Sequence, residues 1–190
     1  MNKKIQTKQS VLLLIITFIL IFTLFSGCVS ETDEKNLPIN DFTFTDIDGQ
    51  TKKLSDHLGK IVLLDLWAAW CGPCQMQMFE LLEAYNYYPK EEFEILSINV
   101  DAGENLVQIQ QFIEEYKRYG YELKWVFGND DDGSIWETYK VGGGGIPAIV
   151  IFDKKGDIVF AHEGIAVFTE IPEGLPASTP KLSLIINQLL

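Results

Sequence analysis

Ile61 to Leu82 reads IVLLDLWAAWCGPCQMQMFELL. An apolar run of strand type reaches Trp70, and Cys71-Gly72-Pro73-Cys74 then opens a segment in which Met78, Leu81, Leu82 and Tyr85 recur at i, i+3, i+4 and i+7. Two thiols therefore stand at a strand-to-helix turn. Residues three apart on a helix share a face, so both sulfurs fall within disulfide range, where Cα atoms are roughly 5.5 to 6 Å apart. Such a bond opens and closes without refolding. Cys71 lies just ahead of the helix, where unpaired N–H groups and the positive end of the dipole favour a thiolate over a thiol. Sites of this kind lower a cysteine pKa from about 8.5 to between roughly 3.5 and 7.5. Pro73, with φ fixed and no N–H to lose, suits a first helical turn. A static bridge is the weaker reading, because so short a loop removes little chain entropy.

The rest of the chain reads as strands and helices alternating around this stretch. Asp41 to Lys53 sets Phe42 and Phe44 against Thr43 and Thr45 and turns at Asp48-Gly49, which predicts a hairpin. Lys60 to Trp67 predicts a central strand covered on both faces. Pro89 ends the first helix, Phe93 to Val100 is the next strand, and Leu106, Ile109, Phe112, Ile113 and Tyr116 mark a second amphipathic helix stopped by Gly120. Trp125 to Phe127 is a short strand candidate. Ser134 with Glu137 predicts a capping box for a brief helix to Lys140, and Asp130-Asp131-Asp132 before it reads as a solvated turn. Ala148 to Phe152 and Ile158 to His162 form a second hairpin, and Thr179 to Leu190 a last helix. The expected class is α/β, with a mixed central sheet flanked by helices.

With 190 residues, 47% of them apolar, the chain has room for one domain with a sizeable core. Its formal charge is −12, and segment 1–27 holds Lys3, Lys4 and Lys8 but no acid, so removing it leaves about −15. That balance argues against nucleic acid and anionic membrane surfaces as partners. Cys28, Cys71 and Cys74 are too few for a disulfide scaffold or a four-thiolate zinc site. His57 and His162 lie far from the motif and from each other, so no metal site is expected. The three lysines precede Val11 to Phe25, an apolar run broken only by Thr17 and Thr23, which is the order of a secretory signal and short for a spanning helix. Residues 1–27 are read as that signal, 28–39 as a polar tether, and 40–190 as the folded domain.

Trp70-Cys71-Gly72-Pro73-Cys74, with Gly145-Ile146-Pro147 about seventy residues on, resembles the thioredoxin superfamily, which keeps a cis-proline beside its cysteines. The extra segments look similar to the membrane-attached TlpA/ResA-like branch. This resemblance implies a thioredoxin-like fold with an N-terminal β-hairpin extension and a central αβ insertion before Gly142 to Gly145. It implies Cys71 as attacking thiolate, Cys74 as resolving thiol, and Trp70, Gly72, Pro73, Ile146 and Pro147 as the surface that meets a client. Asp65 is anomalous in an apolar strand, where an ionised carboxylate costs several kcal/mol and burial raises its pKa. Its place six residues before Cys71 resembles that of the superfamily's buried aspartate, which implies a proton relay to and from Cys74. Phe25-Ser26-Gly27-Cys28 resembles a lipoprotein signal, in which cleavage leaves Cys28 carrying the lipid. An uncleaved anchor and an ordinary cleaved signal are the alternatives, and all three place the domain outside the cytoplasm.

Three positions depart from the pattern. Gln77 stands where TlpA-like proteins often have a glutamate, Phe79 where the superfamily has a helix-kinking proline, and Ser97 where classical thioredoxins keep a lysine. Gln77 cannot titrate, which leaves Asp65 as the obvious carboxyl relay, and Phe79 predicts a straighter helix. Trp67, Met76 and Met78 read as core filling. The functional expectation is an extracytoplasmic thiol:disulfide oxidoreductase that exchanges the Cys71–Cys74 pair with protein clients and needs no further cofactor. Gly72-Pro73 is the pair found in reducing thioredoxins, so it is expected to act as a reductant fed by a membrane electron donor. An oxidant or isomerase of the same fold, a thiol peroxidase and a non-catalytic binding module are the rivals. Asp65 to Trp70 lacks the Pro-and-Thr motif that a peroxidase would need.

Overall fold

The computed structural model describes residues 41–190. The signal segment 1–27, Cys28 and the tether 28–39 lie outside the described residues. The order is β1 (Thr43–Asp46), β2 (Thr51–Lys53), a 3-10 turn (Leu54–His57), β3 (Ile61–Trp67), α1 (Gly72–Tyr87), β4 (Phe93–Asn99) and α2 (Leu106–Arg118). β5 (Val126–Asn129), α3 (Ser134–Tyr139), β6 (Ala148–Phe152), β7 (Ile158–Glu163) and α4 (Leu182–Ile186) follow. The strands join in one mixed sheet in the order β2-β1-β5-β4-β3-β6-β7. β3 runs parallel to β4 and antiparallel to β6, and each of its residues is buried.

Alternate side chains of a strand leave on opposite faces. Ile61, Leu63 and Trp67 pack with Met78 and Leu81 of α1, Phe112 of α2 and Ile186 of α4. Val62, Leu64 and Leu66 pack on the other face with Phe42, Phe44, and Ile135 and Tyr139 of α3. Each fully buried Leu or Ile is worth about 1.5 to 3 kcal/mol, so β3 anchors both layers at once. Asp65 shares the parity of Ile61, Leu63 and Trp67 and so belongs to the layer beneath α1. The N-terminal hairpin docks on β5, where Asp46 pairs with Gly128. Glycine is needed there, because a Cβ would lie 2.4 Å from the Phe44 ring.

Some local expectations fail for identifiable reasons. Ser134 does not cap α3; the N-cap is Gly133, in the left-handed region at φ 74°, with no side-chain cap bond. Asp130 takes over instead, its two carboxylate oxygens accepting from the N–H groups of Ile135 (3.1 Å) and Trp136 (2.8 Å). An ionised carboxylate with two oxygens is a stronger acceptor for orphan N–H groups than one hydroxyl. Asp130 is consequently buried rather than part of a solvated turn. The last helix covers only Leu182–Ile186, because the N–H groups of Leu182 and Ser183 bond to Val167 and Phe168, which holds Lys181 extended. α1, by contrast, runs unbroken through Phe79 over its full 16 residues.

Candidate active site

Cys71 is the N-cap of α1, with extended backbone (φ −78°, ψ 104°), and Pro73 occupies the first turn. Its Sγ accepts from the Cys74 N–H at 3.2 Å, so one orphan donor of the helix start already points at the sulfur that would carry charge. The two cysteines are joined by a disulfide, with Cα atoms 5.2 Å apart. Cys71 keeps 3% of its surface exposed and Cys74 none. Of the two sulfurs, an incoming group reaches Cys71 first. Trp70 beside it is 66% exposed, and Gly72, Pro73 and Met76 also face solvent. Met76 thus leaves the core position expected of it: the helix phase that buries Cys74, Met78 and Leu81 turns it outward. Trp67 is fully buried against Phe112 and Phe127, as core filling requires.

The Ile146–Pro147 bond is cis, and the Ile146 carbonyl oxygen lies 3.8 Å from Cys71 Sγ. Segments far apart in the chain therefore meet at the disulfide. The glycine run ahead of that bond wraps a carboxylate that the sequence does not single out. Glu163, at the end of β7, accepts from the N–H groups of Gly143 (2.6 Å) and Gly144 (3.1 Å). A Cβ on Gly142 or Gly145 would lie 2.6 or 2.7 Å from its oxygens, so a side chain at either position would push the carboxylate aside. Four consecutive glycines signal a close approach, but nothing local names Glu163 as the group approached.

Asp65 is fully buried, and desolvation pushes its carboxyl up from 3.8 to about 7, with the Ser97 hydroxyl partly opposing. Ser97 stands directly across the parallel register on β4 and donates to Oδ2 at 2.8 Å; Trp125 Nε1 donates in turn to Ser97 Oγ at 2.9 Å. Oδ1 has no hydrogen-bond partner among the described residues. A serine in this place steadies the carboxylate by a neutral dipole, without the positive charge a lysine would bring. Near neutrality such a group holds and releases a proton with little driving force either way.

Gln77, also fully buried, clamps the strand-like segment after β7: its Nε2 donates to the Ala166 carbonyl and its Oε1 accepts from the Ala166 N–H, both at 2.9 Å. One turn on, half-buried Glu80 accepts from the Phe168 N–H at 2.6 Å, and desolvation raises its pKa. The other perturbed acid near the cysteines moves oppositely. Asp101 accepts from Trp70 Nε1 and from the Gly103 N–H, and these bonds hold it below the usual carboxylate range.

Residues 36–161 match the profile of the AhpC/TSA family. The chain is 30% identical over 172 residues to the thiol-disulfide oxidoreductase ResA of Bacillus cereus, a match that covers 90% of this chain and 94% of that one. Solved structures are similar as well, among them the two that follow. The thioredoxin domain of a thiol-disulfide oxidoreductase from Bacteroides vulgatus is 29% identical with a TM-score of 0.55, covering 68% of this chain and 88% of that one. The exposed lipoprotein thioredoxin of Streptococcus pneumoniae is 25% identical with a TM-score of 0.57, covering 78% and 99%.

Proposed function

Because the chain belongs to the AhpC/TSA family, and within it to the thiol-disulfide oxidoreductases of the ResA type, we propose that it reduces disulfides of protein clients outside the cytoplasm, with Cys71 attacking and Cys74 resolving. The observation that carries the reading is the disulfide at the start of α1, with Cys71 set against the cis Ile146–Pro147 turn. In the reduced enzyme the Cys71 thiolate attacks one sulfur of a client disulfide, forming a mixed disulfide and expelling a client thiolate. Asp65 takes the proton from the Cys74 thiol. The Cys74 thiolate then attacks Cys71 Sγ, closes the pair and expels the second client thiolate, so two electrons leave the enzyme. A membrane electron donor returns them. Trp70, Gly72, Pro73 and Ile146 form the contact surface around this exchange, whereas Pro147, which the sequence also assigned to it, is buried and serves through the turn it makes.

The donor, the reducing direction and the outward location are supported by the Gly72-Pro73 pair and by the signal read in segment 1–27. A lipid on Cys28 would tether the domain, and the similarity to an exposed lipoprotein thioredoxin favours that mode over an uncleaved anchor. The chain has no helix among its described residues that is long and apolar enough to cross a membrane.

Trapping tests the whole reading. Cys74→Ser expressed in cells is expected to accumulate mixed disulfides on Cys71 in the membrane fraction, and the same variant carrying Cys28→Ser is expected to yield them in the soluble fraction. Recovering none refutes the mechanism; an unchanged distribution refutes the lipid tether. Equilibration with glutathione buffers fixes the direction, and a strongly oxidising potential overturns the reductant assignment.

A further inference from the structure

An open groove of about 350 Å³ starts beside the disulfide, lined by Trp70, Val100, Asp101, Trp136 and Ile146 among others. Two of these residues tie it to the chemistry: Trp70 is the chain neighbour of Cys71, and the Ile146 carbonyl faces Cys71 Sγ. Its walls are indole and aliphatic, and Asp101 supplies the one charged side chain among the lining residues. Asp101 is fixed in place by Trp70 Nε1 and by the Gly103 N–H, and both bonds favour its charged form. Each carboxylate oxygen still has acceptor capacity left after one bond. Trp70, steadied by the same carboxylate, remains 66% exposed. A tryptophan bonded through its N–H yet so exposed leaves indole surface for something that arrives.

An aromatic wall beside a fixed negative charge suits one kind of occupant. The aliphatic stem of a lysine or arginine packs on indole while its head sits over the ring and against a carboxylate. The charge of the whole chain points the same way, with 27 acids against 15 bases. From this complementarity we infer that the groove selects clients with a lysine or arginine within a few residues of the reacting cysteine. The inference rests on the disulfide-exchange reading above and specifies its substrate class. Electrons and bonds move as already described; the groove contributes binding alone.

The test uses the full chain, reduced, and short peptides bearing one cysteine blocked as a mixed disulfide with thionitrobenzoate, whose release is followed by its colour. The peptides differ only in carrying lysine, glutamine or glutamate beside the cysteine, or lysine at the far end. Each rate is divided by the rate of the same peptide with dithiothreitol, which cancels the effect of neighbouring charge on the disulfide itself. The adjacent-lysine peptide is expected to react about tenfold faster than the glutamate one, at the low end of electrostatic steering and shrinking with salt. Asp101→Asn is expected to bring that ratio close to one. Trp136→Leu, which leaves the Trp70–Asp101 bond alone, is expected to lower it as well. Equal rates for the lysine and glutamate peptides overturn the proposal. So does a preference that survives Asp101→Asn or is as strong for distant lysine, since whole-molecule charge would then explain it. Absence of thionitrobenzoate release from every peptide sinks the exchange reading itself, and the groove's role with it.

Discussion

Asp65→Asn separates the cost of the buried carboxyl from its use. In the unfolded chain this group titrates near 3.8; in the fold it titrates at about 7 because desolvation penalises the charged form. The sign follows from linkage. The native state binds the proton more tightly, so the fold loses stability as pH rises through the unfolded value and the loss is complete above the folded one. A shift of about 3 units at 1.36 kcal/mol each gives a penalty of about 4 kcal/mol near pH 8, against about 2 kcal/mol near pH 5. Asparagine keeps an acceptor for Ser97 and carries no charge, but its amide nitrogen replaces the unpartnered Oδ1 and costs about 1 to 3 kcal/mol at any pH. The absolute stabilisation is therefore modest, and the pH dependence is the clean readout. Urea unfolding of the oxidised protein, where the cysteines do not titrate, is expected to show the variant gaining on wild type by about 2 kcal/mol between those two pH values. Turnover should fall at the same time if, as proposed, Asp65 accepts the Cys74 proton. A gap that stays constant with pH, or widens in acid, refutes the buried-carboxyl reasoning.

Gln77→Glu tests the opposite exchange. The ionised variant loses the donor to the Ala166 carbonyl and buries an unpaired charge, so a loss of about 3 kcal/mol is expected near neutral pH. The loss should shrink in acid, where a protonated carboxyl again donates; thermal melts across pH check this. Gly145→Ala places a Cβ 2.7 Å from Glu163 Oε1 and forces that carboxylate off the Gly143 and Gly144 N–H groups. About 1 to 2 kcal/mol of stability should go, and insulin reduction should slow several-fold as the Ile146–Pro147 turn shifts; an unchanged rate would detach the loop from client handling.

What the sequence made legible is what short-range physics encodes. The unbroken apolar run of β3, Pro73 in a first helical turn and the C-x-x-C spacing are local, and the structure places each where it was expected. Asp65 was visible as an acid where none belongs. Its partner Ser97 was visible only as a departure from a pattern, because the bond depends on which strands are neighbours and in what register. Gln77 with Ala166, and Glu163 with its glycines, are likewise products of sheet order rather than of any periodicity. Met76 and Met78 show the limit of residue type as a guide, since two identical side chains two positions apart take opposite faces once the helix phase is set. At α3 the sequence pointed to Ser134 as the cap, and that familiar motif lost to a stronger acceptor, Asp130, which local reading had left in a solvated turn.

Two aspartates near the cysteines are driven in opposite directions, one by lost solvent and the other by gained hydrogen-bond donors. Asp65 has lost its water and kept one neutral donor, so its proton is exchangeable near neutrality. Asp101 is far less desolvated and gains two donors, which favour its charged form. Environments that push paired acids apart in this way sort them into a proton carrier and a fixed charge. Interchanging the roles is physically closed to this site. A carboxylate as exposed as Asp101 would hold no proton at neutral pH to give back, and one as buried as Asp65 offers a client no charge to find. On the proposed mechanism the resolving step carries the pH dependence near neutrality, whereas the recognition proposed for the groove should respond to salt.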